Sequence, residues 1–191
     1  MPAVRCRRIL TLVVALGFAG CGDDGLTLPT PVDPPLLSTA ELCRKSDSLQ
    51  AVLGPHLTID DHFELLGHLL PGGFGGLWSE GMWLAYPHRV ADTRTAASRL
   101  AACNGVKVSN LVFIQTAPVH HGRFDYVQLR RWYRVLQSEP WLWGGVDEAR
   151  NRLEFAFATE EARHRFLGLV AELHIPSIAV HTVIESPARP G

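Results

Sequence analysis

The sequence has no excess of positive charge, with 18 Lys and Arg against 19 Asp and Glu. Arg5, Arg7 and Arg8 fall before residue 10, so without the first twenty residues fifteen cations face nineteen anions, a net charge near −4. That balance excludes the basic groove of a nucleic-acid binder. Metal-site spacing is also missing. There is no His-Glu-x-x-His and no pair of close cysteines; His62 and His68 are six apart on an expected helix, and His120 and His121 are neighbours in an expected loop. The glycines of "PGGFGGLW" are followed by no Lys-Ser or Lys-Thr, which excludes a phosphate loop. Ser79 falls in an expected hairpin turn rather than at a strand-to-helix elbow, and nothing near it supplies a base. With no catalytic constellation, no metal ligands and no cofactor motif, the expectation is a binding protein, not an enzyme.

What is present begins at the N-terminus. Arg5, Arg7 and Arg8 form a positive region ahead of the apolar stretch Ile9 to Phe18, which is too short to span a bilayer, where about 20 residues are needed. This is the pattern of an export signal over residues 1–20. Its end, "GFAGC", resembles the bacterial lipobox, in which small residues precede a cysteine that takes a diacylglycerol before cleavage. That resemblance implies lipidation of Cys21 and a membrane anchor contributing roughly 0.8 kcal/mol per buried CH₂. Gly22, in place of an Asp after the cysteine, favours the outer membrane of a cell envelope that has one.

Cys6 leaves with the signal and Cys21 takes lipid, so Cys43 and Cys103 remain, both expected on helices. An exported compartment permits a disulfide between them; two separate buried thiols are the alternative.

Residues 21–37 are acidic and then proline-rich, "GDDGLTLPTPVDPPLL" after the cysteine, which suits a tether. Residues 38–71 predict two helices. The first opens on the Ser38 to Glu41 capping box, carries Leu42, Leu49 and Leu53, and stops at Gly54; the second runs from Ile59 to Leu70 with Ile59, Phe63, Leu66 and Leu70 on one face. From residue 72 to 186 the pattern predicts two hairpin-helix-strand units flanking a central helix. In the first, "FGGLWSEGMWLAYP" is a hairpin, Asp92 caps a helix with Ala96, Leu100 and Cys103 inward, and "VKVSNLVFIQTAPV" is a long strand. The central helix, Phe124 to Ser138, turns Arg130 and Arg134 outward as a solvated basic face or as a dock for an acidic partner. In the second unit, "WLWGGVDEARNRLEFAF" is a hairpin whose Asp147, Glu148, Asn151 and Arg152 serve its own turn. Thr159 then caps a helix carrying Ala162, Phe166, Leu169, Val170 and Leu173, and "SIAVHTVIE" is the closing strand. The fold class is therefore α+β with small antiparallel sheets.

The succession "FGGLWSE", "GVKVSNLVF", "YVQLRRW", "VDEARNRLEFAF" and "VIES" resembles, in order over Gly72 to Ser186, the propeptide of alpha-lytic-type secreted serine proteases. The resemblance implies a two-lobed domain that embraces a trypsin-fold protease, pairs its last sheet with a protease hairpin and lays its tail in the substrate cleft. It makes Ile178, Val180, Thr182 and Ile184 of the closing strand, and Ser186, Pro187, Ala188, Arg189, Pro190 and Gly191 of the tail, candidate protease contacts. No protease follows "SPARPG", so the expected role is that of a surface-anchored inhibitor or folding chaperone acting in trans. Pro187 and Pro190 would keep such a tail (residues 187–191) extended. The alternative is a structural or envelope-interaction lipoprotein without a protease partner.

Overall fold

The structure, a computed structural model, describes residues 33–54, 57–103, 106–137 and 140–185. Helix α1 (Thr39–Leu53) opens where the sequence places it. The Ser38 hydroxyl accepts from the Glu41 N–H, and the Glu41 carboxylate accepts from the Ser38 N–H at 2.8 Å, while Gly54 ends the helix at φ 99°. Helix α2 (Ile59–Leu69) repeats the device with Thr58 and Asp61. Ile59 stays half exposed, but Phe63, Leu65, Leu66, Leu69 and Leu70 are all buried, so α2 turns a broad apolar face into the core.

Strands β1 (Phe74–Trp78) and β2 (Gly81–Leu84) form an antiparallel hairpin, and β3 (Val119–His121) joins β2 in parallel. Between them lie a 3-10 turn (Pro87–Arg89), α3 (Val90–Leu100) and α4 (Val108–Thr116). The second sheet has the same plan: β4 (Trp143–Asp147) and β5 (Arg152–Phe157) are antiparallel, and after α6 (Glu160–Glu172) and a 3-10 turn (Ser177–Ala179), β6 (Val180–Ile184) joins β5 in parallel. Helix α5 (Tyr126–Leu136) sits between the two in sequence and in space. It gives Tyr126 to one core, with Leu42, Leu66, Phe74, Met82 and Leu100, and Leu129 and Leu136 to the other, with Phe155, Phe157, Phe166 and Val170. The α+β class and the pair of small three-stranded sheets are as expected, except that each sheet is mixed.

Four local expectations fail. "VSNLVFIQT" is the helix α4 and not part of a long strand, because Leu111 and Ile114, three apart, are buried on the face it turns to α3. Its burial follows helical spacing although its β-branched residues favour a strand. Only Val119–His121, after Pro118, continues as the strand β3, so His120 and His121 are in a sheet and not a loop. Asp92 does not cap α3; the helix starts two residues earlier, and Asp92 in its first turn takes Arg89 in an ion pair of 3.0 Å. Cys103 lies in the turn after α3 rather than on it, with its sulfur bonded to that of Cys43 on α1 and the two Cα atoms 5.0 Å apart. Residues 38–71 share their core with β1, β2 and α3, so the helical segment and the first sheet are packed as one body.

Candidate interaction edge

In each sheet the middle strand is fully paired, leaving four outer edges. Three are blunted. β1 faces α5 and the β4–β5 turn, where a side chain on Gly75 would come within 2.6 Å of Asn151 Nδ2 and 2.7 Å of the Phe124 carbonyl oxygen. β4 lies against α5, whose Tyr133 hydroxyl donates to the Gly144 carbonyl at 3.3 Å. β3 is three residues long. The outer edge of β6, five residues long, carries no strand among the described residues. Such an edge offers a row of N–H and C=O groups to another chain.

The register fixes what β6 shows on each side. Val180, Thr182 and Ile184 lie opposite Leu153, Phe155 and Phe157, the β5 residues buried against α6, so this row belongs to the core side of the sheet. Val180 packs into that core, whereas Ile184 is 42% exposed at its rim. His181 and Val183 lie opposite Glu154 and Ala156 on the other side. There His181 Nε2 is 3.6 Å from Glu154 Oε1, and Arg152 is 3.6 Å from Asp147. Trp143, opposite Ala156 on β4, donates its indole N–H to Glu185 Oε2 at 2.8 Å, and the Glu185 N–H donates to the Phe157 carbonyl. The backbone bond carries the pairing with β5 one residue past β6, and the side-chain bond ties Glu185 to β4.

Of the candidate contacts, Val180, Thr182 and Ile184 are on this strand; Ile178 is not, being in the 3-10 turn before it and 56% exposed. A 3-10 turn there closes the connection from α6 that proline begins at Pro176. Cys21 and Ser186 to Gly191 lie outside the described residues. No local pattern marks the Trp143–Glu185 pair, because it joins residues 42 apart.

Arg130 and Arg134 are not a free basic face. Arg130 reaches Asp60 at 2.9 Å, Asp61 at 3.5 Å and Glu64 at 3.6 Å, and Arg134 clasps both oxygens of Glu64. The acidic partner of α5 is therefore α2 of the same chain. Burial opposes the charge on Asp61, but the Thr58 hydroxyl and N–H and the two arginines outweigh it and hold its carboxyl below the usual value. Nor does Asn151 serve its own turn. At φ 51° and 5% exposed, its Oδ1 accepts from the N–H groups of Arg123 and Phe124, and its Nδ2 donates to the carbonyls of Gly75 and Phe124. One side chain thus ties together β1, the entry to α5 and the β4–β5 turn. His120 packs against the stacked rings of Trp78 and Trp83. Among the described residues no three His, Cys, Asp or Glu side chains are grouped to hold a metal ion, and no helix is long and apolar enough to cross a membrane. No family model, curated protein or solved structure matches the chain.

Proposed function

We propose that this chain is an exported lipoprotein, held at the cell envelope through Cys21, whose second sheet binds a secreted trypsin-fold serine protease as a propeptide would. It has no catalytic role of its own in this reading. The observation that carries it is the outer edge of β6, five residues long and without a strand on it among the described residues, at the C-terminal end of the fold next to the segment from Ser186. Strand addition there would supply backbone hydrogen bonds for affinity, with the alternating His181, Thr182, Val183 and Ile184 side chains setting register. The tail would then run from Glu185 into the partner's cleft, inhibiting the mature enzyme or templating its folding.

The test is inhibition of a panel of purified bacterial trypsin-fold proteases by the full chain in detergent, compared with a chain truncated after Glu185. Inhibition that weakens on truncation supports the reading. No binding to any protease, with the fold intact by circular dichroism, removes it and leaves an envelope-interaction module.

A further inference from the structure

Tyr126 is fully buried, and its hydroxyl lies between two carboxylates: 3.0 Å from Asp60 Oδ1 and 3.2 Å from Glu148 Oε1. A phenol has one proton to donate. If both acids were ionised, one of these oxygen pairs would meet with no hydrogen between them. Both contacts become hydrogen bonds when one acid keeps its proton and donates it to Tyr126 Oη. Asp60 is the poorer choice, because Arg130 holds its other oxygen at 2.9 Å. No Lys or Arg pairs with Glu148 among the described residues. The groups around it are Asp60 from α2, Tyr126 and behind it Arg130 from α5, and the adjacent Asp147. β1 and β2 approach it through Gly76 and Trp83, which do not titrate.

We propose that Glu148, Tyr126 and Asp60 form a proton-operated clasp between the two sheets, closed while Glu148 is a neutral acid and released as it ionises. The chain of donation runs from Glu148 to Tyr126 to Asp60, ending on Arg130. Glu148 is the β4–β5 turn residue whose carbonyl accepts the Trp83 indole N–H at 2.7 Å, and Asn151 is three residues on. Glu148 is only partly exposed, so once ionised its carboxylate is better solvated further out, which draws this turn away from β1 and α5 and loosens both attachments. Burial first, then the charges of Asp60 and Asp147, raises Glu148 above the ordinary 4.5, against the pull of its own N–H and of Tyr126. The folded state therefore binds this proton more tightly than the unfolded one. The stabilisation is complete below the ordinary value and is lost as pH rises through the raised one.

The experiment follows the Glu148 carboxyl carbon and the Trp83 indole N–H by NMR in the full chain, as wild type and as Glu148→Gln. The amide of the variant still donates to Tyr126 but does not titrate. The expected result is a Glu148 midpoint above 4.5 and, in the wild type alone, a loss of Trp83 N–H exchange protection as pH rises, beyond the rise that base catalysis gives. A Glu148 midpoint at or below 4.5 overturns the proposal, and this arm needs no variant. Parallel loss of Trp83 protection in wild type and Glu148→Gln overturns it as well.

Discussion

Replacing Asn151 by alanine should be among the most damaging single changes in this fold, and its cost can be built from its parts. The substitution removes four hydrogen bonds at once. Arg123 is exposed, so its N–H can turn to water, but the N–H and carbonyl of Phe124 and the carbonyl of Gly75 are in buried residues. Each such group left unpaired costs about 1–3 kcal/mol, partly relieved where water can enter the space left by the amide. Alanine at φ 51° adds about 1 kcal/mol of backbone strain that asparagine tolerates better. The total is about 4 kcal/mol, against a stability of 5–15 kcal/mol for an ordinary domain. With a urea slope near 2 kcal/mol/M, the midpoint should fall by about 2 M. Asn151→Gly loses the same bonds without the strain and should be less damaging by about 1 kcal/mol. Urea unfolding of the three proteins, disulfide intact, measures all of this. A midpoint shift below about 0.5 M for Asn151→Ala, or a glycine variant worse than the alanine one, would refute the reasoning.

Two other expectations follow from contacts between distant segments. The Cys43–Cys103 bond closes a separation of 60 residues, so its reduction should cost about 4 kcal/mol through denatured-state entropy, read as a lower urea midpoint after reductant. Arg130→Ala should cost about 3–5 kcal/mol, since it strips the bridging cation from Asp60, Asp61 and Glu64, of which Glu64 has a side chain only 5% exposed. Arg134, 48% exposed, should cost less because Glu64 keeps Arg130 nearby, and equal losses for the two variants would contradict that ordering.

What the sequence makes legible here is whatever neighbours decide. The caps of α1 and α2 are closed by residues three apart, Ser38 with Glu41 and Thr58 with Asp61, and the hairpin of β4 and β5 is set by a short turn. The repeat of hairpin, helix and third strand could be read from the order of such local signals. The α4 segment could not, because what makes it helical is its packing against α3, whose Ala96 and Ala97 are buried in the same core as Leu111 and Ile114. Local preference pointed to a strand, and packing overrode it. The ion pairs of Arg130 and Arg134 are hidden for the same reason: a basic face reads equally as solvated or as a dock for another molecule, their carboxylates are 66 to 70 residues away, and no local pattern announces that α2 will lie beside α5. The edge of β6 was legible as a strand, but its being the open edge depended on what α5 covers elsewhere.

The parallel placement of β3 and β6 also sets the order of events when the chain folds. Each hairpin closes over a few residues, but Met82 meets Val119 and Leu153 meets Val180 only after a helical crossover has formed. Closure across longer separations is slower, so each half should pass through a hairpin stage in which its middle strand has one side unpaired. In the second half that strand is β5, with Leu153, Phe155 and Phe157. Until β6 docks, β5 is an apolar strand with a vacant side, open to the same segment of a second molecule, and exchange of β6 between two copies is the misassembly this topology invites.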